Sequence, residues 1–488
     1  MLQMKNIKIV GGGTAGLLCA LILKRRFDKM DIEVIKSDKI GIIGVGESST
    51  EHWSHFNDFL KLSEQEVILK TDATYKASVY FDGWTNKPYF HSLDETMNNF
   101  NIAQYKAAFG YLLSQGYENK DYINPHFIQN QLETSFVPSQ LQFNTLKLND
   151  YLLELCERFK IKVTEDLIKD VILNEDGSIK KLIGRIEYIA DFYVDCTGFK
   201  RLLIGKMGAK WRSYSKYLHV NQAIAFPTKD TEEYPPFTIS KAMKSGWLWR
   251  IPTWGRWGNG YAFNNNFINV DQAKQEVEEF LGHSIEIFKN IKFDSGSIDR
   301  PWIKNCMAVG LASSFLEPLE ATAIATAIQQ SFLLMHYLPN YTQQSIDRYN
   351  DKITYLLQNM VDFVFLSYMV DKKDTPFWKY TSELTPPETL SYNLSYWKNR
   401  LPIHEDFIHN RYILFREGHY IIKMHALNLF NMENIKYEFD MQHELLKKYI
   451  KSEVENFFVA RKNIFRYNHK TLIKKIREGD PNLAWPLK

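Results

Sequence analysis

The stretch IVGGGTAGLLCA, residues 9 to 20, restricts the fold more than any other part of the chain. It sets Gly11, Gly13 and Gly16 in the pattern G-x-G-x-x-G directly after an apolar run. Asn6–Val10 reads as a short buried strand, Leu17–Arg26 as a helix and Asp31–Ile35 as a second strand. Strand, glycine turn and helix in that order open a βαβ unit of a doubly wound α/β fold. The glycines permit the tight turn and let backbone N–H groups approach a pyrophosphate at the helix N-terminus. Gly11, Gly12, Gly13, Thr14, Ala15 and Gly16 are therefore the candidate dinucleotide-binding residues, with an ordinary βα turn as the alternative. One position departs from the pattern. The second strand ends Ile35-Lys36-Ser37, where a ribose-binding acid is expected. Lys36 accepts no hydrogen bond; the Ser37 hydroxyl can accept one and is the candidate for the role, with a basic residue at this place leaving NADP as the alternative.

Later segments extend this scheme. Thr145–Phe159 has the spacing of an amphipathic helix. Asp170–Leu173 and Ile179–Ile183 flank Glu175-Asp176-Gly177, a hairpin signal. Phe192–Val194 reads as a strand that runs into Cys196-Thr197-Gly198, and Met307–Val309 as a late strand followed by Gly310. Pro318 precedes a helical pattern from Glu320 to about Tyr337, and most of the remaining chain is helical. The dinucleotide-binding pieces thus fall near residues 6, 195 and 310, so that module is discontinuous. A chain of 488 residues has room for a second one.

Charge gives no reason to expect nucleic acid or a membrane as partner: 60 basic and 57 acidic residues leave a net +3. Cys19, Cys156, Cys196 and Cys306 are widely spaced and form no CxxC, which fits a reducing cytoplasm. No secretory signal is visible, and the apolar run Met360–Val370 contains Asp362 and is too short to span a bilayer. His52 and His55 stand three apart on a predicted helix, but no third ligand accompanies them, so no metal is expected. Lys447, Lys448 and Lys451 share a predicted helix with Glu453 and Glu455 and read as a solvated face.

A second unusual stretch is KSGWLWRIPTWGRWGNGYAF, residues 244 to 263, with four tryptophans among turn-forming residues. The alternation Trp247, Trp249, Ile251 is that of a strand with one face in common. Trp254 and Trp257, near the glycines, are expected to pack.

Five segments, in this order and spacing, carry a family resemblance: GVGES (Gly44–Ser48), TYKASVYFDGW (Thr74–Trp84), GWLWRIP (Gly246–Pro252), GLASSFLEPLEATAI (Gly310–Ile324) and DTPFW (Asp374–Trp378). Together with the glycine turn they resemble the flavin-dependent tryptophan halogenases, over residues 5 to about 400. The resemblance implies an α/β fold with a Rossmann-like FAD module of the flavin monooxygenase type in 1–95, 140–215 and 296–345. A mainly helical substrate module would comprise 96–139, 216–295 and 346–488. It implies FADH2 delivered by a separate flavin reductase, with O2 and a halide ion (chloride, bromide or iodide) giving hypohalous acid, which travels to a small aromatic substrate. Self-association is compatible with it.

The family's catalytic lysine maps onto Lys76 and its catalytic glutamate onto Glu320. An ammonium at Lys76 would polarise hypohalous acid; the neutral amine would form a haloamine. Glu320 would assist activation or take the proton from the ring. The halide would rest on the amides of Thr322 and Ala323. The family usually has Gly at the second of these and Ser where Ala321 stands, so halide preference is open. Ile40, Ile43, Val45, Glu47, Ser48, Gly198, Leu311 and Ile324 would contact the flavin. Trp247, Trp249 and Pro252 would line the passage between flavin and substrate.

The C-terminal region departs from the family. Residues 435–466 offer Tyr437, Phe439, Glu444, Phe457 and Phe458, which do not reproduce its tryptophan-binding pattern. The expected substrate is a free electron-rich arene of the indole or phenol type. An FAD-dependent aromatic monooxygenase and a non-catalytic flavin-binding protein are the alternatives.

Overall fold

The computed structural model describes residues 4–42, 47–92, 102–122, 125–134, 138, 140–407, 413–462 and 464–485. Its first sheet has six strands in the order Trp302–Ile303, Cys306–Ala308, Phe192–Asp195, Asn6–Val10, Asp31–Lys36 and Lys162–Glu165. The central strand Asn6–Val10 runs parallel to both neighbours, with Ile7 opposite Phe192 and Ile32. Only the edge strand Trp302–Ile303 is antiparallel to its neighbour. The helix Thr14–Arg26 is buried from Gly16 to Leu23 and packs against the helices Thr322–Tyr337 and Thr145–Arg158. Strands covered in this way bury even their polar positions: Lys8 and Glu33, on adjacent strands, are 9% and 3% exposed and pair at 2.8 Å. The expected hairpin forms between Asp170–Leu173 and Ile179–Ile183.

A second sheet has seven strands, in the order Lys289–Lys292, Gln222–Lys229, Arg256–Phe263, Gly246–Thr253, Phe237–Met243, Ser78–Asp82 and Tyr89–Ser92. The tryptophan-rich stretch supplies two of them, joined by a two-residue turn in which Gly255 has φ +86°. Trp249 lies opposite Gly260, and a Cβ there would come within 2.1 Å of the indole. The bulky face of one strand therefore needs the bare backbone of the next. This sheet gives residues 216–295 more strand than helix, and it draws Ser78–Ser92 away from the dinucleotide-binding sheet.

A small three-stranded sheet joins the two large ones. Thr74–Lys76 pairs with Gln140–Phe143, which also pairs with Glu47–Ser48. One residue on, the Ala77 N–H donates to the Pro236 carbonyl at 2.8 Å, and the chain enters the seven-stranded sheet at Ser78. Lys76 thus sits at a seam between sheets. The helices Gln343–Ser367 and Glu417–Ala426 pack on this region, the latter against Tyr89–Ser92. Among the described residues, no helix is long and apolar enough to cross a membrane.

Candidate functional site

A cavity of about 950 Å³ begins at the glycine turn and extends to Lys76 and Glu320. All six residues from Gly11 to Gly16 line it. Gly11 has φ +123°, and a Cβ there would lie 2.2 Å from the Cys196 carbonyl oxygen, so the turn can close only around glycine. Gly13 and Gly198 have the opposite environment: a Cβ on either would meet no heavy atom within 4 Å. Both line the cavity, so a side chain there would project into its space. Bare backbone at a helix N-terminus is what close approach of a pyrophosphate requires.

Ser37 and Ile40 line the same space, as do Ser48, Leu311 and Ile324. Lys36 is held by Asp38 and Glu165 and points its charge at them. Asp38, one residue beyond Ser37, also lines the cavity. Ile43 and Val45 lie outside the described residues, and Glu47 is described only as backbone of a short strand.

Lys76 is 1% exposed, so it is not a solvated lysine at a strand end. Its Nζ donates to the Ser49 carbonyl oxygen at 3.1 Å. Burial pulls its pKa down to about 8, against the opposing charges of Glu320 and Glu51. Lys76 therefore changes charge close to neutrality, far below a solvated lysine.

Glu320 does not lie in the first turn of the helix. A short 3₁₀ turn, Leu319–Ala321, precedes the helix Thr322–Tyr337, and Glu320 and Ala321 take left-handed backbone with φ +65° and +54°. That conformation is strained for residues with a Cβ. It directs the carboxylate to two partners that the sequence did not reveal. Oε1 accepts from Lys423 Nζ at 2.5 Å, and Oε2 from His91 Nδ1 at 2.7 Å. His91 Nε2 in turn meets His419 Nδ1 at 2.8 Å. Burial disfavours the Glu320 carboxylate, but the His91 and Lys423 charges and hydrogen bonds outweigh it and hold the pKa well below the usual range. Since a carboxylate only accepts, His91 donates from Nδ1. His419, pushed down to about 4 mainly by burial, is neutral at pH 7.

The helix beginning at Thr322 leaves its first N–H groups without intrahelical partners. Thr322 is buried, Ala323 is exposed, and both line the cavity. Trp247 and Trp249 line it too, their rings 5.9 Å apart. Pro252 does not line it; its carbonyl accepts from Thr74 Oγ1 at 2.6 Å, which ties the tryptophan strand to the strand carrying Lys76. Trp257 is buried and hydrogen-bonded to Thr231, and Trp254 packs edge-on to Tyr234.

Glu317 was not singled out from the sequence. It accepts from Trp247 Nε1 at 3.1 Å and from the Tyr368 hydroxyl at 2.6 Å, and burial raises its pKa to about 7. His52 bonds to Thr50 through Nδ1 at 3.0 Å, and among the described residues no group of three or more His, Cys, Asp or Glu could hold a metal ion. Of the C-terminal candidates, Tyr437 is exposed, Glu444 pairs with Lys447, Phe439 packs on Tyr111 and Phe458 stacks on Tyr117. None of them lines the cavity.

Residues 6–442 match the family model described as tryptophan halogenase. The chain belongs to the tryptophan halogenase family. Members are flavin-dependent oxidoreductases that halogenate aromatic substrates, and this chain is an enzyme of that class. Tryptophan 7-halogenase RebH of Lentzea aerocolonigenes is 29% identical over 422 residues, covering 78% of this chain and 79% of the relative. Tryptophan 6-halogenase SttH of Streptomyces toxytricini is 27% identical over 446 residues, covering 82% and 85%.

Among solved structures, the tryptophan C-6 flavin-dependent halogenase Tar14 of taromycin biosynthesis superposes with a TM-score of 0.81 at 26% identity, over 93% of this chain and 96% of that one. A tryptophan halogenase of Shewanella frigidimarina NCIMB 400 reaches 0.88 at 22% identity over 99% and 98%, a likeness of fold. The family implies FAD, halide and O2. The open backbone at Gly13 and Gly198 and the acceptors at Ser37 and Asp38 fit FAD in this halogenase.

Proposed function

We propose that this halogenase acts on a free electron-rich arene of the indole or phenol type, with Lys76 and Glu320 as the groups that touch the reactants. The observation that carries the reading is that a buried lysine and a clamped carboxylate line the same cavity as the bare-backbone cradle. FAD held in the glycine cradle and reduced by a separate flavin reductase would supply hypohalous acid from O2 and halide. The amides of Thr322 and Ala323 hold the halide, where a helix N-terminus favours an anion.

The Lys76 ammonium donates to the oxygen of hypohalous acid. The halogen bonds to a ring carbon, and the O–halogen bond breaks with its electron pair on oxygen. The departing oxygen takes the Lys76 proton and leaves as water. Glu320, held ionised by His91 and Lys423, then takes the proton from the substituted carbon, and the C–H electrons return to the ring. That cationic ring is so strong an acid that a weakly basic carboxylate suffices. Transfer of this proton from Glu320 to the Lys76 amine restores both groups. Trp247 and Trp249 keep the arene apart from the flavin.

The departure of residues 435–466 from the family pattern supports a substrate other than tryptophan. The test supplies enzyme, FAD and a flavin reductase with an arene panel and chloride, bromide or iodide, and reads products by mass spectrometry. Halide-dependent products from indoles or phenols are expected, and their loss in Lys76→Ala. Turnover of tryptophan alone would overturn the substrate reading; hydroxylated products without halide would favour a monooxygenase.

A further inference from the structure

Lys423 was no part of the sequence reading, and it does not line the cavity. It stands on the helix Glu417–Ala426 between Ile422 and Met424 and is 0% exposed. Besides Glu320, its Nζ donates to the Ser367 hydroxyl at 2.7 Å, and it lies 3.7 Å from the centre of the Phe363 ring. A fully buried ammonium is costly unless paired, and this one is paired with a single carboxylate. That carboxylate is Glu320, whose second oxygen is occupied by His91. Lys76 is arranged differently. Its bond is to a backbone carbonyl, and among the described residues no carboxylate lies within 4.0 Å of its Nζ.

The contrast needs a cause. Two opposite charges lining one cavity of low dielectric attract strongly, and the Glu320 charge acts on Lys76. A direct ion pair would tie up the Lys76 protons and cover the Glu320 lone pairs. We propose that Lys423 is a positioning residue that occupies Glu320 from behind, so that the carboxylate cannot close onto Lys76 and the two groups remain separate partners in one reaction. This rests on the roles given to Lys76 and Glu320 above. The strained backbone at Glu320 agrees with it: φ +65° turns the carboxylate toward Lys423 and His91, and that clamp stabilises a conformation the local sequence does not favour.

The charges involved are few. Glu320 and Glu51 act on Lys76. Lys423 and His91 act on Glu320, with His419 behind His91. Glu320 and Glu317 act on Lys423.

The experiment titrates Lys76 directly. Full-length protein without substrate is labelled with trace acetic anhydride across pH 6 to about 11, the range over which lysines titrate. The modified Lys76 peptide is quantified by mass spectrometry. The wild-type midpoint is expected near the value of about 8 that burial imposes. In Lys423→Met, Glu320 closes on Lys76 and the midpoint rises by about one unit or more, a loss of labelling at pH 8 of roughly five-fold or more. Lys423→Arg keeps the cation and the wild-type midpoint. Lys423→Gln keeps a donor to the carboxylate without charge and should shift as Met does, which covers the case in which Met does not fold.

An unmoved midpoint in folded Lys423→Met or Lys423→Gln would overturn the proposal. So would a wild-type midpoint at or above about 10, the range of a solvated or paired lysine. Labelling requires no flavin, halide or arene. A negative result beside intact, Lys76-dependent halogenation would therefore refute the role of Lys423 alone.

Discussion

The state of Lys76 during turnover can be tested by pH. If the ammonium polarises hypohalous acid, the rate must fall as the lysine loses its proton. With a midpoint of about 8, the ammonium fraction drops from about 90% at pH 7 to about 9% at pH 9. The halogenation step should then slow about ten-fold across that interval, equivalent to roughly 1.4 kcal/mol of apparent barrier. A solvated lysine would give no fall until well above pH 9, so the position of the limb reports the burial seen at the seam between the sheets.

The assay is a single turnover with photochemically reduced FAD, which removes the reductase and its own pH dependence. Halide and arene are saturating, and product is read by mass spectrometry. Lys76→Arg should lose the limb, since a guanidinium stays charged, while turning over more slowly. Lys76→Met should lose roughly 10²–10⁴ in rate. Glu317 titrates at about 7 and must be separated; in Glu317→Gln the limb near 8 should persist. A rate that rises through pH 8 would refute the argument and assign the step to the neutral amine as a halogen carrier. A flat profile would remove Lys76 from the rate altogether.

Other consequences concern the cradle, the core and the tryptophan barrier. Gly13→Val should fold normally, since a Cβ there meets nothing within 4 Å, yet weaken FAD binding at least about ten-fold by flavin fluorescence titration, because the added side chain occupies the ligand's space. Asp362 accepts from Gln358 and Thr389 through Oδ1, and burial raises its pKa from 3.8 to about 7. A carboxyl raised on folding contributes stability below its unfolded pKa and loses it as pH climbs through the folded one. Wild type should therefore lose on the order of 4 kcal/mol between pH 4 and 7 at this site. Asp362→Asn should keep the acceptor, flatten that slope and melt higher than wild type at pH 8. Trp247→Ala should retain part of the halogenation but yield less product per reduced flavin consumed; a folded variant with no activity would instead assign Trp247 a direct role.

What the sequence revealed and what it hid divide by range. The glycine turn and its flanking strand and helix are local, so periodicity and turn chemistry located them to within a few residues. Lys76, Glu320 and the Trp247–Trp249 alternation were legible because each sits in a short segment shared with the family. The groups that control Glu320 had no such signal: His91 is 229 residues away along the chain and Lys423 is 103. The one trace of Lys423 is a lysine between Ile422 and Met424, a charge where the helix would otherwise continue apolar. Such a residue must find a buried counter-charge or be neutralised, but sequence cannot say which carboxylate it finds.

The same limit explains the misplaced helix start. Pro318 and the apolar spacing after it predict a helix through Glu320, and helix propensity gives no warning that Glu320 adopts left-handed backbone. Tertiary contacts accompany it: in that conformation the carboxylate bridges a lysine and a histidine from two other elements. A residue whose backbone strain, burial and charge are all set by distant partners is one whose geometry serves the site before it serves the fold, and the Lys423 titration asks whether that holds for Glu320.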